Sequence, residues 1–423
     1  MRFAGNLSFE GDITGNLFDP RVSGNAAVDS LIMRNRELGS VSTKIDAYPV
    51  DEIDASGHRH FAGIELLNGK LDERLGGNAT FEILLPTGLS NSVTVNADLQ
   101  GIDAGNLLAA LPIELPARIT DLNGKTTGRV RITGLPDKAD GSIDLSALKG
   151  TIAGQNFDNL KVDADFKGTQ IIIKTSEIRV GEGLFTAEGT YDRKSTEFDL
   201  DLTGKRLPLP LILALLPPNE NIPTITGAVD MTARTRGVSN NSATYDVLFE
   251  GTAREVTVGE NAVGDVTFSG KTLDQVLTAD LMANLEGSVQ VIKGTLRFSD
   301  ERLPYEVTTA FDRSPLSPYF AFVPQLKGYP ITGTGTGNIE LRGTLRSRVN
   351  GELVMDTSNV EGSANFSLLA LTVQDTPLAA VEPISIIFDR NQVLFENAKF
   401  AGGGSNMTIA GTAALTKNAT NNI

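Results

Sequence analysis

At 423 residues the chain is longer than one hydrophobic core usually supports, which leaves several domains or one architecture that grows along an axis. Hydrophobic residues make up 40% of it, enough for a large buried face, so intrinsic disorder is excluded. The formal charge of −15 is interspersed without blocks, which excludes a nucleic-acid partner, and the lack of cysteine excludes disulfide frameworks and cysteine-based zinc sites.

The N-terminal MRFAGNLSFEGDITG contains no apolar core region, and its GNLSFEG at 5–11 already alternates apolar and polar residues with period two. Such runs predict strands with one dry and one wet face. His58 and His60 follow in SGHRH, on one side of a strand; no third ligand lies at fitting spacing, so they read as an exposed strand or loop, and no metal site is expected. In SVTVNADLQG the dry side begins with Val93 and Val95. AGNLLAALPIELP at 104–116 then breaks the strand pattern and predicts a short rim helix carrying Leu107, Leu108 and Leu111, stopped at Pro112.

Gly124 opens the next strands. GRVRITG at 128–134 supplies Val130 and Ile132, and NLKVDADFKG supplies Leu160, Val162 and Phe166 against Lys161, Asp163, Asp165 and Lys167. QIIIK adds Ile171 and Ile173, and TEFDLDLTG adds Phe198, Leu200 and Leu202. A second rim helix is expected in KRLPLPLILALLPPNENIP at 205–223, with Ile212, Leu215 and Leu216 before Pro217 and Pro218. This longest apolar run is too short and proline-bounded to span a bilayer, so the chain reads as soluble.

After Gly227 come GDVTFSG at 264–270 and the dry-side pair Val289 and Val291. A third rim helix is expected in RSPLSPYFAFVPQLKGYP at 313–330, with Tyr319, Phe320 and Phe322 before Pro324. GTGTGN at 333–338 resembles a phosphate-cradling loop, but it lacks a following helix and a Lys-Ser or Lys-Thr pair, so it reads as a bulged start to the strand GNIELRG, whose dry side is Ile339 and Leu341. GGG at 402–404 reads as a turn, followed by dry-side Met407 and Ile409.

Glycines after each helical stretch recur at Gly124, Gly227 and Gly333, a period near one hundred residues. GEGLFTAEGT at 181–190 matches GGSNMTIAGT at 403–412, about two periods on. The expected organisation is therefore four repeats, 1–123, 124–226, 227–332 and an incomplete 333–423, in a piece of a longer protein. The predicted fold is all-β: an elongated, repetitive antiparallel sheet curled into a U-shaped, taco-like trough with a few short helices. The same stripe is also what a closed sandwich core presents, and periodicity does not separate the two. An aliphatic trough without hydrogen-bond donors suits hydrocarbon chains. With two histidines and no cysteine, Ser-His and Cys-His nucleophile systems have almost no material, so no enzyme and no cofactor are expected.

The glycine-punctuated strands at 5–24, 128–145 and 337–355, with VEPISIIFDRNQVLFENAKFAGGGSNMTIAGTAAL at 381–415, resemble the AsmA-like group of bacterial envelope proteins, in particular the TamB family, the translocation and assembly module subunit. The resemblance implies a β-trough in the periplasm, anchored in the inner membrane by a segment lacking here, that carries phospholipid towards the outer membrane. It also implies, as an alternative, a scaffold for outer-membrane protein assembly that pairs strands with a β-barrel partner.

Overall fold

The computed structural model of the chain describes residues 3–16, 20–33, 36–50, 52–53, 59–60, 62–87, 92–110, 122–152, 154–214, 223–285, 287–321, 330–356, 359–390 and 392–414. Among the described residues strand accounts for 81%, which fixes the class as all-β with a few short helices, and the strand pairings are antiparallel. The chain divides into two compact units, Met1–Leu200 and Asp201–Ile423.

In the first unit, strands from Phe3–Gly15 to Gly183–Asp192 pair with their successors as a meander. Period-two alternation and register together assemble one apolar face. Leu7 lies opposite Val28, Val28 opposite Val41, Val41 opposite Leu71, and Leu71 opposite Ala79. The series continues through Leu99, and then from Val130 through Ile143 and Ala164 to Ile173. The reverse face carries Asp140, Asp144, Lys161, Asp163 and Lys167, which keeps it wet.

The second unit repeats the scheme from Ile225–Val238 onward. Val229 faces Ala253, Val266 and Ala283 along successive strands, and Val307, Leu341 and Phe388 share the same apolar side with Ile339, Ala364 and Ile386. The strand Glu361–Val373 is met by two short ones end to end, Thr376–Ala380 and Ile384–Asp389. Two hairpins, Glu52–Ile53 with Arg59–His60 and Arg346–Val349 with Glu352–Met355, pair only internally among the described residues.

Setting those hairpins aside, a short helix follows every sixth strand among the described residues: α1 (Ala104–Ala110) after Val93–Asp103, α2 (Leu209–Ala214) after Glu197–Pro208, and α3 (Ser317–Phe320) after Pro304–Pro315. Shortly before each helix the backbone turns left-handed, at Gly101 (φ +66°), Arg206 (φ +48°) and Arg313 (φ +48°). Gly101 and Arg313 sit in β-bulges, which bend a strand and re-aim the chain beyond the bend. The next apolar segment is thereby folded over the dry face.

The recurring Gly124, Gly227 and Gly333 have a steric reason. A Cβ would lie 3.1 Å from the Phe157 ring at Gly124, 3.1 Å from Leu209 of α2 at Gly227, and 2.7 Å from the Leu371 side chain at Gly333. The GTGTGN segment is fully within the strand Ile331–Thr344 and serves as a notch: a Cβ at Gly335 would stand 3.0 Å from Leu316 and 3.2 Å from Phe366, and the Leu316 amide donates to the Gly333 carbonyl. The glycines remove side chains where α3 docks.

Candidate functional site

The apolar face is only half covered. Its deeply buried members in the first unit include Ala26, Ala79, Ala147 and Ala164, between 1% and 6% exposed, together with Leu99 and Ile132 at 6% and 7%. Their neighbours Val95, Val130, Val162, Phe166, Ile171 and Ile173 remain part-exposed. In a closed sandwich the large side chains would interdigitate with an opposing sheet and be the most buried. Here Leu99 and Ile132 are buried, but a row of large side chains from Val95 to Ile173 keeps part of its surface exposed.

Side chains from several strands of each unit meet on this face. In the first, Leu71 and Leu145, whose strands are separated by three others, converge with Leu107 of α1 on a cluster of Ala79, Leu99 and Ile102. In the second, Ala262 and Gly402 line one cavity of about 810 Å³ although several strands intervene between theirs.

The predicted groove residues fall mostly on this face. Val93, Val95, Val130 and Ile132 share it with Ala97 and Ile143, and Leu160, Val162, Phe166, Ile171 and Ile173 share it with Ala164. Phe198, Leu200 and Leu202 alternate along one side of their strand, and Gly204, next on that side, abuts Met231 of the apolar face. Ile339 and Leu341 face Ala364 and Gly362, and Met407 and Ile409 face Phe400 and Ala398.

Val289 and Val291 do not fall there. Register pairs Val291 with Met282 and Ala310 on the reverse face, where Val289 is 62% exposed, while Ser288, Gln290 and Ile292 take the dry side. The alternation is readable; its polarity is inverted because a polar side chain is satisfied inside.

That side chain is Gln290, 1% exposed opposite Ala283. Its Oε1 accepts from the Tyr319 hydroxyl of α3 (3.2 Å), its Nε2 donates to the Ser314 and Ser288 hydroxyls, and Ser288 and Ser314 are 2.6 Å apart. Burial pushes the Tyr319 phenol above its ordinary range, so it stays a neutral donor. Gln290→Ala is expected to lower stability by about 1–3 kcal/mol, since Tyr319 is left without that acceptor; Tyr319→Phe should cost less, and urea unfolding of both variants checks the order.

Of the predicted rim-helix residues, Leu107 and Leu108 of α1 pack on Leu99 and Phe157 clusters, Ile212 of α2 on Val229 and Val256, and Tyr319 and Phe320 of α3 on Phe311 and Phe366. Leu111, Leu215, Leu216, Phe322 and His58 lie outside the described residues, as does the side chain of His60. Sequence reading missed the anchor of α1: Glu73, whose side chain is 1% exposed, accepts from the Asp103 amide (2.9 Å) and the Asn106 side chain (2.8 Å). No sequence spacing marks it, since Glu73 and Asn106 are 33 residues apart.

Among the described residues no group of three metal-ligating side chains forms, and no helix is long and apolar enough to cross a membrane. Compared with known proteins, the chain matches no family model, no curated sequence and no solved structure.

Proposed function

We propose that the protein is a lipid-carrying module of the bacterial cell envelope, whose dry face holds phospholipid acyl chains and passes them between the inner and outer membranes. The observation that carries this reading is the part-exposure of a row of large side chains on that face, Val95, Val130, Val162, Phe166, Ile171 and Ile173. Each fully covered Val, Ile, Leu or Phe contributes about 1.5–3 kcal/mol, so a row of half-covered ones leaves a substantial driving force for a hydrocarbon chain to finish the burial. The aliphatic and aromatic side chains of this row suit methylene groups and disfavour polar cargo. The likeness to the AsmA-like group supports the envelope setting.

The test is native mass spectrometry of the chain purified from a bacterial envelope, with extraction of whatever it holds. Phospholipid at one or more molecules per chain, released only on denaturation, is the expected result. A folded, lipid-free protein overturns the reading.

A further inference from the structure

An amphiphile held on the dry face needs a place where its polar end meets water, and the second unit has one beside α3. The cavity of about 810 Å³ lies there and is within the roughly 300–1,000 Å³ typical of small-ligand sites. Leu285, Leu371 and Leu378 give it an apolar lining, and Pro318 of α3 adds to it. Leu371 and Leu378 also pack on the cluster of Phe311, Phe366 and Ile384, so this lining runs on into the dry face.

The polar lining is of a different kind. Ser317 supplies a hydroxyl, whereas Thr332, Thr334 and Thr372 border the cavity with their side chains on the face opposite Leu371; Glu260, exposed in the turn before the strand Asn261–Leu273, is the one charged residue lining the cavity among the described residues. A hydroxyl can bond to ester and glycerol oxygens, but it does not neutralise a net negative headgroup; that takes Lys or Arg, and none lines the cavity among the described residues. A carboxylate at the lip attracts an ammonium group and repels a second anion.

We propose that this cavity is a portal site for an ammonium-bearing, zwitterionic glycerophospholipid, with acyl chains along Leu285, Leu371 and Leu378 and the ammonium at Glu260. Net-anionic glycerophospholipids bind it more weakly. This site rests on the lipid-carrying reading and adds to it a place and a headgroup preference.

The chain has no cysteine, so Ala262→Cys, in the lining, accepts a single environment-sensitive fluorophore. The delipidated full chain is titrated with lysophosphatidylethanolamine and with lysophosphatidylglycerol of the same acyl length. The ethanolamine lipid is expected to bind about threefold to fivefold more tightly, the worth of one exposed ion pair, and Glu260→Gln should erase the difference without preventing binding. Leu378→Trp, which places an indole beside Leu371 in the lining, should lower the reporter response to both lipids. Equal affinity for the two lipids, or a preference that survives Glu260→Gln, overturns the proposal. A silent reporter on a chain that still retains lipid elsewhere overturns the portal and leaves the lipid-carrying reading standing; a chain that retains no lipid anywhere overturns both.

Discussion

Phe166→Asp and Ile339→Asp, combined, are expected to strip lipid from the dry face while leaving the chain folded. Both side chains are part-exposed, so in the lipid-free protein each new carboxylate keeps contact with water, and the cost to folding is confined to the lost packing, which for Ile339 is against the cluster of Phe311 and Ala364. Once an acyl chain lies across the face, the same carboxylate loses its hydration with no partner in reach, a cost of several kcal/mol. Phospholipid recovered per chain should fall at least tenfold by quantitative mass spectrometry. Asp163→Ser on the reverse face, where Asp163 faces Asp144, should leave recovery unchanged, its distant contact with Lys174 being worth little. Equal loss from both faces would show that the substitutions act through unfolding.

The second large effect concerns the backbone. Gly128→Val is expected to destabilise the first unit by about 3 kcal/mol or more, because Gly128 has φ +150° and a Cβ there would sit 2.0 Å from the Asp144 carbonyl oxygen. Gly128 pairs with Leu99 on one side and Leu145 on the other, so the clash separates strands that build the seat of α1. Gly294→Ala is the matched comparison: it has no left-handed backbone, and the nearest atoms to its added Cβ are 4.0 Å away. It should shift stability by less than about 1 kcal/mol, and urea unfolding distinguishes the pair.

Much of this fold is legible in the sequence because its two signals are strong and local. Period-two alternation marks the strands from Phe3–Gly15 to Ser405–Ala414, and proline-bounded apolar runs mark the three helices. The illegible remainder depends on partners distant in the chain. Val289 and Val291 read as dry because they alternate with Ser288 and Gln290; only the hydroxyls of Ser314 and Tyr319 make a dry-side glutamine tolerable. GTGTGN reads as an irregular strand start, since the need for glycine comes from Leu316 and Phe366 docking over it. Alternation likewise gives no measure of coverage: a closed sandwich and an open face share one sequence pattern, and they part only in the exposure of residues such as Phe166 beside Ala164.

The helix after every sixth strand imposes a rule of parity. In an antiparallel meander, strands an even number apart run the same way, so α2 and α3 emerge at one margin of the second unit. Gain or loss of a single strand would send every later helix to the opposite margin, whereas a two-strand hairpin would preserve the margin and change only the spacing between helices. A whole six-strand block preserves both, and at about 4.8 Å per strand it adds or removes about 29 Å along the stacking direction. Length in such a protein is therefore quantised, and variants made by duplicating or deleting 105 to 108 residues should keep the helices in step where shorter insertions put them out of phase.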